Sequence, residues 1–553
     1  AVSMQRLDWG APMRRLSFAI ATLLAATATV PLAIAKGPDG PSAPVDQIVD
    51  QGTRHGEVMR IAQYLTDVIG ARLTNSPGMR QAEDWTQAKF REWGLTNVHK
   101  EGFEFGRGWS ARNASVKMVA PRPLTLIAAP LAWTPGTNGP ITGQVVLAPM
   151  ADEAALDQYK GKLKGKIVLI TEPADIADAT SPAFRRYGDA DLDKADTFEL
   201  PGGPSAATRP QRGPARQIFL AKRDAFLKAE GAIAYATMSS RNGKLIHGQN
   251  SQFRVGATPP LPGFEIAAED YRRLARLAKM GATPSLELSS DVTYDDSDTK
   301  AYNVIADIPG TDAKAGYVMA GAHMDSWAMG DGAADNAAGV SMVMEAARII
   351  KALNIKTKRA IRFVLWSGEE QGLLGSMAYI ENHIATRTID PTLTGPARYA
   401  AWGKSFPIKP GPDHARLAAY FNLDNGSGRI RGIYTQGNTA VVPIFRDWLA
   451  PFSSFGATKV ATALTDSTDH VFFDVVGIPA FQFIQDPLDY ASTVHHTDVD
   501  TFDHLKPEDM RQGAIILAAF LINAANTSDP LPRVPLATQP KTLSEFYPAP
   551  GAK

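Results

Sequence analysis

Cysteine is absent from all 553 residues, which excludes thiol nucleophiles, thiolate metal sites and disulfides. An excess of either charge is absent as well, 57 Lys and Arg standing against 57 Asp and Glu. Composition therefore gives no electrostatic case for nucleic acid or an anionic membrane as partner. Histidine is scarce at ten residues, so its placement beside apolar runs carries information. Apolar runs of membrane-spanning length are also missing, apart from Leu16–Leu32. Met13-Arg14-Arg15 precedes that run and Ala33-Ile34-Ala35 ends it. A basic start, an Ala- and Thr-rich apolar stretch and small residues before the cut predict a cleaved signal peptide over residues 13–35. The expectation is an exported protein, periplasmic or extracellular, with no membrane association once the signal is removed. The competing reading of the run is an N-terminal anchor.

What is present suits a globular chain of about two or three domains: 44% apolar and 21% charged residues. Apolar residues at helical spacing predict helices over Val58–Ile69 and Gln81–Trp93, and residues 97–120 alternate as strands do. From Pro121 the texture changes to apolar runs bounded by Pro and Gly: LTLIAAPLAW, ITGQVVLAP and KGKIVLITEP. Helices are expected there at Ala221–Glu230 and Ala267–Lys279. Residues 185–216, dense in Pro, Gly and charge, read as a lid or as a plain surface loop. After Asp295 come short, nearly continuous apolar strands, NVIADI, GYVMAGA, IRFVLWS, AAYFNLD and AFQFI, with helical segments at Ala337–Leu353 and Val441–Pro451 between them. Such strands are buried on both faces, which predicts an α/β fold with a mixed, mainly parallel sheet covered by helices. The expected divisions are a leader at 13–35, a first part of the main domain at 44–120, a β-rich insertion at 121–295, the rest of the main domain at 296–528 and an extended tail at 529–553.

The ends of these strands carry the chemistry. His323 and Asp325 follow GYVMAGA, Glu369 and Glu370 follow IRFVLWSG, Asp424 ends AAYFNL and His496 lies in the loop after AFQFI. Asp335 opens the helix after the first of these strands. Ligands of open α/β sheets bind beyond the carboxyl ends of the strands, and two His with several carboxylates suit zinc or a similar divalent ion. Each residue alone has a plainer reading. Asp335 is a helix cap, Glu369-Glu370 a solvated first turn, Asp424-Asn425-Gly426 a common turn, and either His a hydrogen-bonded structural side chain. Their joint placement favours convergence on metal.

GAHMDS, GAADNAAG, WSGEEQGLLGS, NLDNG and HHTDVDT, in that order, resemble the motif set of the M28 family of zinc exopeptidases. The layout is similar to its aminopeptidase and carboxypeptidase Q-like members, and the insertion, with LKGKIVLI, resembles a protease-associated domain. The resemblance implies a zinc-exopeptidase fold and two zinc ions bridged by Asp335. His323 and Asp424 would complete one site, and Glu370 and His496 the other, with His495 as the fallback. It makes Glu369 the general base that takes a proton from a water held between the ions, leaving the attacking hydroxide, and Asp325 the carboxylate that orients His323. Thr468-Asp469-His470 and Tyr490 resemble residues near the family's substrate pocket, so His470 and Tyr490 are candidate substrate contacts, as is Asp489. Arg429 and Arg431 are candidates to bind a substrate carboxylate, with exposed positions the plainer reading. The implied function is removal of N-terminal residues from peptides. Alternatives on the same scaffold are a carboxypeptidase or dipeptidase and a mono-zinc glutaminyl cyclase. An alternative of another class is a non-catalytic binding module.

Overall fold

A computed structural model describes residues 43–195, 214–393, 398, 401–402, 405–465 and 467–536. The expected signal peptide at 13–35, residues 196–213 of the Pro/Gly-rich loop and the tail beyond Leu536 lie outside the described residues.

Two eight-stranded sheets organise the fold. The first runs, edge to edge, Thr96–Glu104, Lys300–Ile308, Ala360–Trp366, Tyr317–His323, Leu417–Asn422, Ala480–Gln485, Ile430–Tyr434 and Lys459–Ala461. Its centre, from Ala360–Trp366 through Tyr317–His323 and Leu417–Asn422 to Ala480–Gln485, is parallel, and the strands flanking this centre pair antiparallel to it. The strands Tyr317–His323, Leu417–Asn422 and Ala480–Gln485 are buried at every residue. Continuous burial follows from alternation onto two covered faces. Val318, Ala320 and Ala322 join a core with Met342, Val343 and Phe520 of the helices Ala338–Ala352 and Pro507–Asn526. Tyr317 and Met319 point the other way, into a core with Met377 of Leu374–Tyr379 and Phe472 of His470–Val475.

Strand order reverses beside Tyr317–His323: the chain moves from it to Ala360–Trp366 on one side and then returns to Leu417–Asn422 on the other. Side chains following the ends of these strands therefore meet around a crevice, the place where open α/β sheets hold ligands.

The second sheet comprises Leu124–Leu126, Gly108–Ala120, Ser285–Asp295, Ile141–Leu147, Ile167–Leu169, Ala234–Met238, Gly263–Ile266 and Ala128–Pro130. All of it lies, in sequence, between two adjacent strands of the first sheet, Thr96–Glu104 and Lys300–Ile308. Its core packs Leu169, Phe264 and Leu286 against Tyr271 and Leu274 of the helix Ala268–Lys279. The change of texture at Pro121 does not coincide with the change of sheet, because the long strand Gly108–Ala120 pairs over its length with Ser285–Asp295. Alternating residues in that strand look alike in either sheet, and only the ladder assigns them.

Candidate metal centre at the sheet edge

His323 is the last residue of its strand and is fully buried. Its Nδ1 lies 2.9 Å from the Asp325 carbonyl, a contact that only an Nδ1–H donor makes. The tautomer this fixes turns the Nε2 lone pair outward, 3.2 Å from Asp335 Oδ1 and 3.3 Å from Asp424 Oδ1. On the other side, His496 Nε2 lies 3.2 Å from Asp335 Oδ2 and 3.0 Å from Glu370 Oε2. The two oxygens of Asp335 thus face two separate donor sets. His495, whose Nε2 is 3.7 Å from Asp335 Oδ2, stacks on His496 with 3.8 Å between ring centroids.

Asp335 does not open the following helix. Its backbone and that of Asn336 are non-helical, the bond between them is cis, and the helix begins at Ala338. Asn336 does the capping, its Oδ1 accepting from Gly339 N at 2.9 Å, which leaves the Asp335 carboxylate for the crevice. Asp500 fixes this turn by accepting from Ala334 N at 2.7 Å and Asp335 N at 3.0 Å. The buried Arg72 guanidinium holds the approach to it, donating to the carbonyls of Met324, Asp331 and Gly332. Burial pushes Asp500 up to about 8 and Arg72 down to about 10.

Glu369 and Glu370 occupy the turn after Ala360–Trp366. Asp325 holds this turn through both carboxylate oxygens, accepting from Glu369 N at 3.2 Å and Glu370 N at 3.3 Å, and from Thr74 Oγ1 at 2.9 Å. Asp325 meets His323 chiefly through its backbone carbonyl, its carboxylate lying 3.7 Å from Nδ1. The expected imidazole-orienting contact is therefore made by the main chain, and the side chain positions the two glutamates. Trp327 Nε1 donates to Glu370 Oε2 at 2.6 Å, and Gln249 of the second sheet's module places its amide nitrogen 2.7 Å from His496 Nδ1.

The electrostatics point to cations. Burial raises Glu369 well above the ordinary carboxyl value, with Asp424, Glu370 and Asp469 adding to it; burial and Asp335 push Glu370 up to about 7. Although burial opposes it, Glu370 and Asp335 raise His496 to about 10. Burial likewise opposes charge on His323, yet Asp424, Asp325 and Asp335 hold it well above the imidazole range. Asp335 Oδ2 and Glu370 Oε1 are buried with no hydrogen-bond donor among the described residues. Carboxylates crowded around two imidazoles, with acceptor oxygens unsatisfied, fit divalent ions in both donor sets.

Of the remaining candidates, Tyr490 adjoins the cluster and the others are held by other partners. His470 is buried, its Nε2 lying 2.8 Å from Gln436 Nε2 and 3.2 Å from the Thr465 carbonyl. Tyr490 packs on His495 at 4.8 Å and over Gly426, whose φ is +81° and where an added Cβ would lie 2.9 Å from the ring, too close to be accommodated. Asp489 accepts from His504 at 2.7 Å. Arg429 and Arg431 approach Asp509 and Asp486 at 3.4 and 3.0 Å. Sequence reading missed Arg72, Trp327 and Gln249, for which no local signal exists, and the role of Asp500, which stands inside HHTDVDT.

Peptidase family M28 matches residues 303–521. Mouse carboxypeptidase Q is 24% identical over 473 residues, covering 85% of this chain and 86% of the relative. A peptidase M28 precursor from Shewanella amazonensis SB2B superposes with a TM-score of 0.61 at 23% identity, covering 90% of this chain and 98% of that one. A zinc aminopeptidase from Bacillus subtilis does so with a TM-score of 0.53 at 18% identity, covering 84% and 93%. The chain is thus similar to peptidase family M28 over residues 303–521, the stretch that holds every member of the cluster around Asp335.

Proposed function

We propose that the protein is a di-zinc exopeptidase that removes N-terminal residues from peptides. The observation that carries this reading is the pair of Asp335 oxygens, each 3.2 Å from a different imidazole. His323, Asp335 and Asp424 would hold one zinc, and Asp335, Glu370 and His496 the other. His495 adjoins the second set and is the alternative donor there. Bound there, two ions supply Lewis acidity that acidifies water and polarises the scissile carbonyl.

Glu369 is the proposed general base. Burial and neighbouring carboxylates raise its proton affinity, as suits a group that takes a proton from water and passes it to the leaving amine. Asp325 acts through the turn it grips, fixing the Glu369 and Glu370 backbones relative to the His323 strand. Tyr490 and the Gly426 turn form a rigid wall beside Asp424 and His495. His470, being buried, is a poorer candidate for substrate contact than Tyr490.

Aminopeptidase and carboxypeptidase names both occur among the similar proteins, and both describe the same bond-breaking chemistry. Residues 108–295 are proposed as a protease-associated-type module, on the strength of the LKGKIVLI segment and the placement of the second sheet between strands of the first. Export is proposed from the leader-like residues 13–35. Among the described residues, no helix is long and apolar enough to cross a membrane.

A panel of unblocked and N-blocked peptides, assayed before chelation, after it and after zinc return, tests the reading. The expected result is chelator-sensitive, zinc-restored cleavage that N-blocking abolishes. Cleavage of N-blocked peptides at their free carboxyl end contradicts the aminopeptidase assignment.

A further inference from the structure

The Pro/Gly-rich stretch that begins at Arg185 lies, in sequence, between two adjacent strands of the second sheet, Ile167–Leu169 and Ala234–Met238. Its described beginning docks on the first sheet as a strap. Leu192 of the short helix Asp189–Lys194 packs with Ala461 and Ile484, on two strands of that sheet. Ahead of this helix, residues 183–187 run beside Asp486–Ser492, the chain that leads from the strand Ala480–Gln485 to His495 and His496.

Arg186 Nη1 lies 2.9 Å from Asp486 Oδ2 and 2.8 Å from Asp509 Oδ2, and both carboxylates are 1% exposed. Asp509 belongs to the helix Pro507–Asn526, so one guanidinium pins the strap, the chain at Asp486 and that helix together. The Tyr187 N–H and Arg431 reach the other Asp486 oxygen at 3.0 Å each. Arg185 N donates to the Leu488 carbonyl at 2.9 Å, and Ser492 Oγ to the Ala183 carbonyl at 2.7 Å. The backbone that these contacts hold is strained. Leu488 is a bulky, buried residue at φ +45°, and His496 itself sits at φ +63°. Such conformations last only where their surroundings over-determine them, and they gather at sites that need pre-organised geometry. A return of Leu488 to negative φ would swing the chain that carries His496.

We propose that Arg186 is a positioning residue for the zinc held by Asp335, Glu370 and His496. Through Asp486 it keeps the Leu488 turn in the conformation that brings the His496 imidazole to Asp335 and Glu370. The assignment rests on the di-zinc reading above, with His496 as a ligand. It gives the strap a selective role, because His323 and Asp424 approach Asp335 from strand ends that the strap does not touch.

The test measures zinc affinities by chelator competition on wild type, Arg186→Gln, Arg186→Lys and Ser492→Ala, with thermal melts to verify folding. Wild type should hold two zinc ions tightly. Arg186→Gln should weaken one of them by about 10-fold and leave the other unchanged, with kcat regained at saturating zinc. Anomalous scattering at the zinc edge, from crystals of this variant grown at limiting zinc, should place the retained ion beside His323 and Asp424. Arg186→Lys, which keeps the charge, should fall between wild type and Arg186→Gln. Ser492→Ala, at an exposed position, should weaken the same zinc by about 2- to 10-fold, and it carries the test if Arg186→Gln does not fold. Equal weakening of both zincs, or of neither, in variants that fold overturns the assignment and leaves the di-zinc reading standing. Fewer than two zincs on wild type contradicts that reading, and the assignment falls with it.

Discussion

The two oxygens of Asp335 look out on unlike halves of one cluster. On the Oδ1 side stand His323, the last residue of its strand, and Asp424, two residues past the end of the adjacent parallel strand, with the imidazole 1% exposed and its tautomer fixed by its own strand's continuation. On the Oδ2 side stand Glu370, from a turn, and His496, from a loop, with the imidazole 28% exposed. The outer contacts of that half come from Trp327 and from Gln249 of the second sheet's module. Strand ends of the first sheet build the first half, and irregular chain, steadied in part from the second sheet's module, builds the second. The second half should therefore be the easier to loosen.

Removing the shared member breaks both halves together. Asp335→Ala should abolish stoichiometric zinc binding and lower kcat/KM on the order of 10⁴-fold, read by metal analysis and peptide hydrolysis. Glu369→Gln separates chemistry from binding: zinc content should stay at the wild-type level while kcat falls about 10²- to 10⁴-fold. Unchanged kcat in that variant rules Glu369 out as the base.

Gln249→Leu sharpens the contrast. Ligation through His496 Nε2 needs a proton on Nδ1, which the Gln249 amide accepts once its oxygen is turned towards the ring. Loss of that contact should weaken one zinc by about 10- to 100-fold and leave the other unchanged, as competition with a chelator would show. Equal weakening of both zincs contradicts the division into halves.

A smaller effect concerns pH. Burial pushes Asp500 and Asp469 up to about 8, whereas the unfolded chain releases those protons near 3.8. The folded protein then binds more protons than the unfolded one, and stability falls as pH rises towards 8. His495, lowered by burial to about 4, acts in the opposite sense below 6.5, which limits the clear window to pH 6.5–8. Metal-free protein should melt at a lower temperature at pH 8 than at pH 6.5. Zinc-loaded protein should show a weaker or reversed trend, because its ligands release protons on binding.

Legibility in the sequence followed the same division. The buried strands were readable as continuous apolar runs, and the motifs at their ends named every residue that meets at Asp335. The local chemistry was harder to read. Asp335 and Asn336 exchange the roles their order suggests, because only the backbone conformation decides which side chain caps. Asp325 sits two residues from His323, so its side chain was expected to touch the ring, yet the shorter contact is the carbonyl's. Gln249 reaches the site from about 250 residues away in sequence, through a sheet whose pairing no local pattern encodes. Gly108–Ala120 alternates as any half-buried strand does, which is why its sheet was not readable.

The most direct measurement is a zinc titration of metal-free protein with hydrolysis followed in parallel. Two equivalents should bind per chain, with full activity reached only when both are present and both lost in Asp335→Ala. Saturation at one equivalent, or hydrolysis that persists after complete chelation, would contradict a two-sided cluster built on Asp335.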